Sequence, residues 1–143
     1  MKLRPATDID RPTLFELHRE AFYEHITQLW GWDENWQRTK FAEEFTDAVT
    51  SVIEIGEKIA GYVQIVDKPN QIYVLNIAIS RAFQGQGIGT QILRELQQKA
   101  TAEKVPLELS VFRPNASALK FYKRLGFIQT GETDTHIKMY WGS

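Results

Sequence analysis

The chain has 143 residues, 43% apolar and 24% charged, with a formal net charge of −1 and no cysteine. That size suits one domain, residues 1–143, with one substantial core. The missing cysteines exclude disulfides, thiolate metal sites and a cysteine nucleophile, and suit a reducing compartment. No apolar run approaches the ~20 residues that span a bilayer, and "MKLRPATDIDRP" lacks the apolar stretch of a secretory signal. A soluble cytoplasmic protein with no membrane partner is expected. No basic run is dense enough for a nucleic-acid surface. Charge is nevertheless uneven: residues 1–50 carry ten acids and six bases, and residues 81–143 carry five acids and nine bases. That gradient suits an anionic ligand toward the C-terminal half and a cationic one toward the N-terminal half.

"MKLRPAT" reads as a short first strand. Asp10 is in position to cap a helix with Pro12 in its first turn, and Leu14, Leu17, Ala21, Phe22, Ile26 and Leu29 recur at helical spacing up to Trp30. Gly31 ends that pattern, and Asp33 opens a shorter helix through Trp36, Phe41 and Phe45. The period then becomes strand-like. "SVIEI", a turn at "GEK" and "IAGYVQIV" form a hairpin, and "IYVLNIAIS" reads as a central strand buried on both faces. A helix marked by Ile88, Ile92, Leu93, Leu96 and Ala100 follows, then the strand "PLELSVF". Asn115 caps a last helix that Gly126 terminates, and "FIQTGETDTHIKMYW" closes as a hairpin turning near Gly131 and Glu132. The order β-α-α-β-β-β-α-β-α-β-β predicts an α+β fold, a mixed and mostly antiparallel sheet of about seven strands with helices on both faces.

The segment "AFQGQGIGTQIL" joins the central strand to its helix. It is not a P-loop, because no Gly-Lys pair is present there, and not a Rossmann fingerprint, because Thr90 stands where the third glycine would fall. What remains is Gln84-x-x-Gly87-x-Gly89 entering a helix, where successive N–H groups and the helix dipole converge on an anion. A pyrophosphate fits. A second segment, "VFRPNASALKFYKRLGF", sets Asn115 and Tyr122 seven residues apart, two turns along one helix face. Together these segments resemble the GCN5-related N-acetyltransferase (GNAT) superfamily: its Q/R-x-x-G-x-G/A signature, and its strand, Asn, Tyr-bearing helix and Gly-Phe. The resemblance covers essentially the whole chain, although residues 1–50 match only in pattern.

The resemblance implies acyl transfer from acetyl-CoA to a primary amine in a ternary complex, with no metal. It implies that main-chain groups of Ile77, Ala78 and Ile79 pair with the pantetheine arm where the family's sheet splays, with an N–H near Ile77 as oxyanion donor. It assigns the pyrophosphate to Gln84, Gly85, Gln86, Gly87, Ile88, Gly89 and Thr90, a pantetheine contact to Asn115, and the proton for the departing thiolate to Tyr122. The base is open. Asn76, the polar residue of an apolar strand, is a candidate for ordering a water; Glu54, His18 and His25 are the titratable alternatives. The family binds acceptors at the junction of its first two helices. Here Tyr23, Trp30, Trp32 and Trp36 gather there with Glu20, Glu24, Asp33 and Glu34, a setting for a cationic small-molecule amine. The alternatives are a protein or peptide acetyltransferase, acting on lysines or N-termini, and a non-catalytic acyl-CoA-binding module. Dimers are common in the family, and no feature here decides for a homodimer.

Overall fold

A computed structural model describes residues 1–142. The elements are β1 (Lys2–Pro5), α1 (Arg11–Leu29), α2 (Glu34–Asp47), β2 (Val49–Ile55), β3 (Lys58–Lys68), β4 (Gln71–Ile79), α3 (Ile88–Glu103), β5 (Leu107–Phe112), α4 (Ala116–Arg124), β6 (Ile128–Glu132) and β7 (His136–Trp141), with a 3-10 turn at Arg81–Phe83. They form one seven-stranded sheet in the order β1-β2-β3-β4-β5-β7-β6. Neighbours are antiparallel except β4 and β5, which run parallel. The predicted element order and α+β class are those observed.

Strand alternation splits the core in two. Val52 and Tyr62 pack with Leu14, Phe15 and Phe41 under α1 and α2, whereas their chain neighbours Ile53 and Val63 pack with Ile88, Ile92, Leu93 and Leu125 under α3 and α4. Local chemistry sets the helix ends. The Asp33 carboxylate accepts from the Trp36 N–H at 3.0 Å, and Asn115 Oδ1 accepts from the Ala118 N–H at 3.1 Å, as their positions predict. Gly126, at φ 94°, closes α4 in a Schellman motif: its N–H reaches the Lys123 carbonyl and that of Phe127 reaches the Tyr122 carbonyl.

Three expectations need correction. Asp10 precedes α1 but does not cap it, because its backbone is already helical at φ −78°, ψ −20°. Its carboxylate instead takes a bidentate pair from Arg4, 2.8 Å on each side, and the Thr7 N–H. The last hairpin turns at residues 133–135; Gly131 stays in β6, beside an irregularity in the register with β7.

The third correction shapes the molecule. β4 is fully buried only at Ile72, Val74 and Ala78. In its ladder with β3, Asn76 faces Gln64 while Val74 faces Ile65, so Leu75 is an extra residue, a β-bulge. Ile72, Val74, Ile77 and Ile79 therefore share the α3/α4 face, and Ala78 faces α1 and α2. Strict alternation would have put Val74 and Ile77 on opposite faces. Pairing with β5 ends at the same point: Val74 opposite Leu109 is the last pair, and the Tyr73 hydroxyl bonds to Ser110 Oγ at 3.0 Å across the diverging strands. Beyond it, Leu75–Ile79 has β3 on one side and, among the described residues, no strand on the other.

Candidate active site

Two cavities meet in this divergence. The larger, about 870 Å³, is bounded by Gln84, Gly85 and the first turn of α3, by Ile77, Ala78 and Ile79 of β4, and by the start of α4. The smaller, about 280 Å³, lies between the split strands and helices α1 and α2. Phe22, Ile77, Asn115, Ala118 and Tyr122 line both, so the two are one passage through the sheet.

The glycine loop owes its shape to two left-handed residues, Gly85 and Gly87, each at φ 78°. Gly87 precedes α3 with no side-chain cap, so the first-turn N–H groups of the helix are left for a ligand, at the positive end of the dipole. Gly89 serves a different end: a Cβ there would press on Phe121 of α4 at 3.3 Å. Gln84 fastens the loop to β4 by donating to the Ile79 carbonyl at 3.0 Å. Ile88 and Thr90 complete the wall, while Gln86 is an exposed loop residue outside the lining.

Tyr122 is held by the Schellman turn and by the Phe121 and Phe127 rings beside it. Its hydroxyl has no hydrogen-bond partner among the described residues, and burial raises its pKa above the ordinary phenol value. It remains a proton donor throughout the physiological range. Asn115 uses Oδ1 to cap α4, which leaves its amide N–H groups toward the passage it lines.

On the other side, Asn76 is fixed by two acceptors. Its Nδ2 donates to Gln64 Oε1 at 2.8 Å and, in a longer contact of 3.5 Å, to Glu44 Oε1; Gln64 in turn donates to Thr50 Oγ1 at 3.2 Å. Glu44, on α2, is one of two residues the sequence reading missed. It is half-buried at the cavity wall, and burial raises its carboxyl pKa against the opposing pull of Lys40 and Asn76. A signal existed: Gln37, Phe41 and Glu44 fall on one helical stripe, and a carboxylate on a buried stripe invites explanation. His136, also missed, reaches the cavity because β7 pairs it with Phe112. No local pattern carries that information. Burial lowers the pKa of both His136 and His18, favouring their neutral forms.

The aromatic junction divides. Trp30 and Trp36 line the smaller cavity. Trp32 and Tyr23 do not; their rings meet at a tilt of 42°, and the Trp32 indole donates to Glu34, which also holds Arg19 in a bidentate pair. Of the acids expected to face a cation, Glu34 is thus paired and Asp33 caps α2, while Glu20 accepts from the Arg81 N–H. Of the alternative bases, Glu54 is committed to Arg4 at 3.2 Å, away from either cavity, whereas His18 lines the smaller cavity with its Nε2 3.0 Å from Gln37 Oε1. His25 lines the larger cavity.

Comparison with known proteins agrees with this architecture. Residues 11–127 match the model of the acetyltransferase (GNAT) family. The N-alpha-acetyltransferase RimI of Mycobacterium tuberculosis (strain ATCC 25618 / H37Rv) is 31% identical over 110 residues, spanning 73% of this chain and 68% of that relative. The fold is shared with the PaiA N-acetyltransferase of Thermoplasma acidophilum in complex with coenzyme A (TM-score 0.79, 16% identity, 99% of this chain and 98% of that one). It is shared too with the ribosomal-protein-S18-alanine N-acetyltransferase of Escherichia coli (TM-score 0.72, 21% identity, 97% and 91%). A passage split open between β4 and β5, with a glycine loop at one mouth and a tyrosine at its centre, goes with that match, and the chain belongs to the acetyltransferase (GNAT) family.

Proposed function

We propose that the protein transfers the acetyl group of acetyl-CoA to the primary amine of a compact acceptor, both substrates being bound at once. The observation that carries this reading is the single passage whose two ends meet at Tyr122. Acetyl-CoA supplies an activated acyl group, so the protein's task is positioning and proton management. In this reading the first turn of α3, with Gly85 and Gly87, holds the pyrophosphate, and the unpaired edge of β4 at Ile77–Ile79 together with Asn115 holds the pantetheine arm. An Ile77 N–H steadies the negative charge on the carbonyl oxygen. The amine nitrogen bonds to the carbonyl carbon as the carbon–sulfur bond breaks. The nitrogen sheds its surplus proton to solvent, the sulfur takes the Tyr122 proton, and solvent returns a proton to Tyr122, leaving the N-acetyl product and free CoA thiol.

The aromatic walls and the modest volume of the smaller cavity favour a small-molecule amine. A second acceptor class, the N-terminal α-amine of a protein, is favoured by the likeness to an N-alpha-acetyltransferase. Thermal unfolding with acetyl-CoA, CoA or NAD tests the donor site: both CoA species are expected to raise the midpoint and NAD to leave it unmoved. Thiol release with small amines and short peptides then ranks the acceptors. No shift with either CoA species would overturn the reading.

A further inference from the structure

The smaller cavity is aromatic and apolar along Phe22, Ile26, Trp30, Trp36 and Phe112, and Glu44 is the one carboxylate among its lining residues. Glu44 Oε1 is engaged by Asn76, whereas Oε2 has no partner among the described residues. The Asn76 amide spends its N–H groups on Gln64 and Glu44, and its Oδ1 has no donor among the described residues, which makes it a second acceptor on the same wall. An alkylamine with a lysine-like pKa of ~10.4 arrives protonated and must shed a proton before it can attack. One carboxylate, one amide oxygen and aromatic faces form a receptor for one ammonium. A second positive charge would find no second carboxylate on this wall, and would meet the ammonium of Lys40 instead.

Resting on the reading above, we propose that Glu44 receives and deprotonates the acceptor's ammonium, and that the acceptor class is a monoamine whose amino group adjoins one aromatic or branched apolar group. The N–H electron pair stays on nitrogen as the attacking lone pair, the proton goes to Glu44 Oε2, and water removes it after product release. The raised pKa of Glu44 brings its proton affinity toward that task. The same chemistry is offered by a free amine and by the first residue of a peptide, and the assay separates them.

The test measures thiol release from acetyl-CoA with phenethylamine, spermidine, and short peptides beginning with Phe or with Asp. For the wild type, kcat/KM is expected to be at least about tenfold higher for phenethylamine or the Phe peptide than for spermidine or the Asp peptide. Whichever of the two preferred acceptors leads identifies the source. Glu44→Gln is expected to lose about 10²-fold in kcat/KM for the preferred acceptor, with the acetyl-CoA thermal shift intact, and Glu44→Asp to recover part of it. A preference for spermidine, no transfer to either aromatic acceptor, or wild-type kcat/KM in a folded Glu44→Gln protein would overturn the proposal. Failure of the donor reading is distinguishable, since it removes the wild-type thermal shift itself.

Discussion

Tyr122 combines a buried ring, a hydroxyl without a partner among the described residues and a pKa moved upward by burial. A side chain serving only as packing would lose little as phenylalanine, so Tyr122→Phe discriminates. Turnover is expected to fall by about 10²–10⁴-fold, the range of a lost general acid, while the acetyl-CoA thermal shift remains. A second residue makes its own test. The Arg4 guanidinium lowers the Asp10 carboxyl pKa to about 2, helped by the Thr7 N–H. Because the folded value lies below the unfolded one, this contribution is complete above about pH 4 and lost as pH falls through about 2. The gap in unfolding midpoint between wild type and Asp10→Asn is therefore expected to be level from pH 5 to 8 and to shrink below 4. Residues whose role is local were legible in the sequence: Asn115 and Asp33 cap because a side-chain oxygen lies three residues before a free N–H. Asp10 looked the same and is not, since a cation on β1 outcompetes the helix end. Glu44 and His136 were harder still, because α2 and β7 bring them to the passage from distant parts of the chain.

At the scale of elements, the loop before α3 joins backbone shape to ligand recognition. Gly87 has open space around its missing Cβ but holds φ at 78°, so a side chain there is strained rather than crowded. Gly87→Val is expected to lose at least about 1–2 kcal/mol of local backbone energy and, by shifting the first-turn N–H groups, to abolish the CoA-induced rise in midpoint. An unchanged rise would reassign the loop to a simple turn. All eleven strands and helices could be read in order, because each buries one stripe at its own period, as Ile88, Ile92, Leu93 and Ala100 do in α3. What periodicity could not give was the irregularity within an element. "IYVLNIAIS" looks like an unbroken apolar strand, and nothing in its own letters marks Leu75 as unpaired. That depends on β3, where Gln64 and Ile65 are adjacent while their partners Asn76 and Val74 are not.

At the scale of the whole molecule, the sheet separates two cores, and the passage crosses it where β4 and β5, its one parallel pair, part company. The bulge bends β4 at the residue where that pairing stops. Removing Leu75 would leave every other side chain of β4 on the face it already occupies: Ile72, Val74, Ile77 and Ile79 toward α3 and α4, Ala78 toward α1 and α2. It would also give the strand an uninterrupted ladder free to continue along β5. The deletion variant is expected to unfold cooperatively with both cores formed, yet to show neither an acetyl-CoA shift nor transfer; retained transfer would uncouple the bulge from the opening. Access to this enzyme is in that sense a matter of counting. On that expectation, what separates a closed sheet from an open one is a single surplus residue, Leu75, which has no partner across the ladder and lines the smaller cavity.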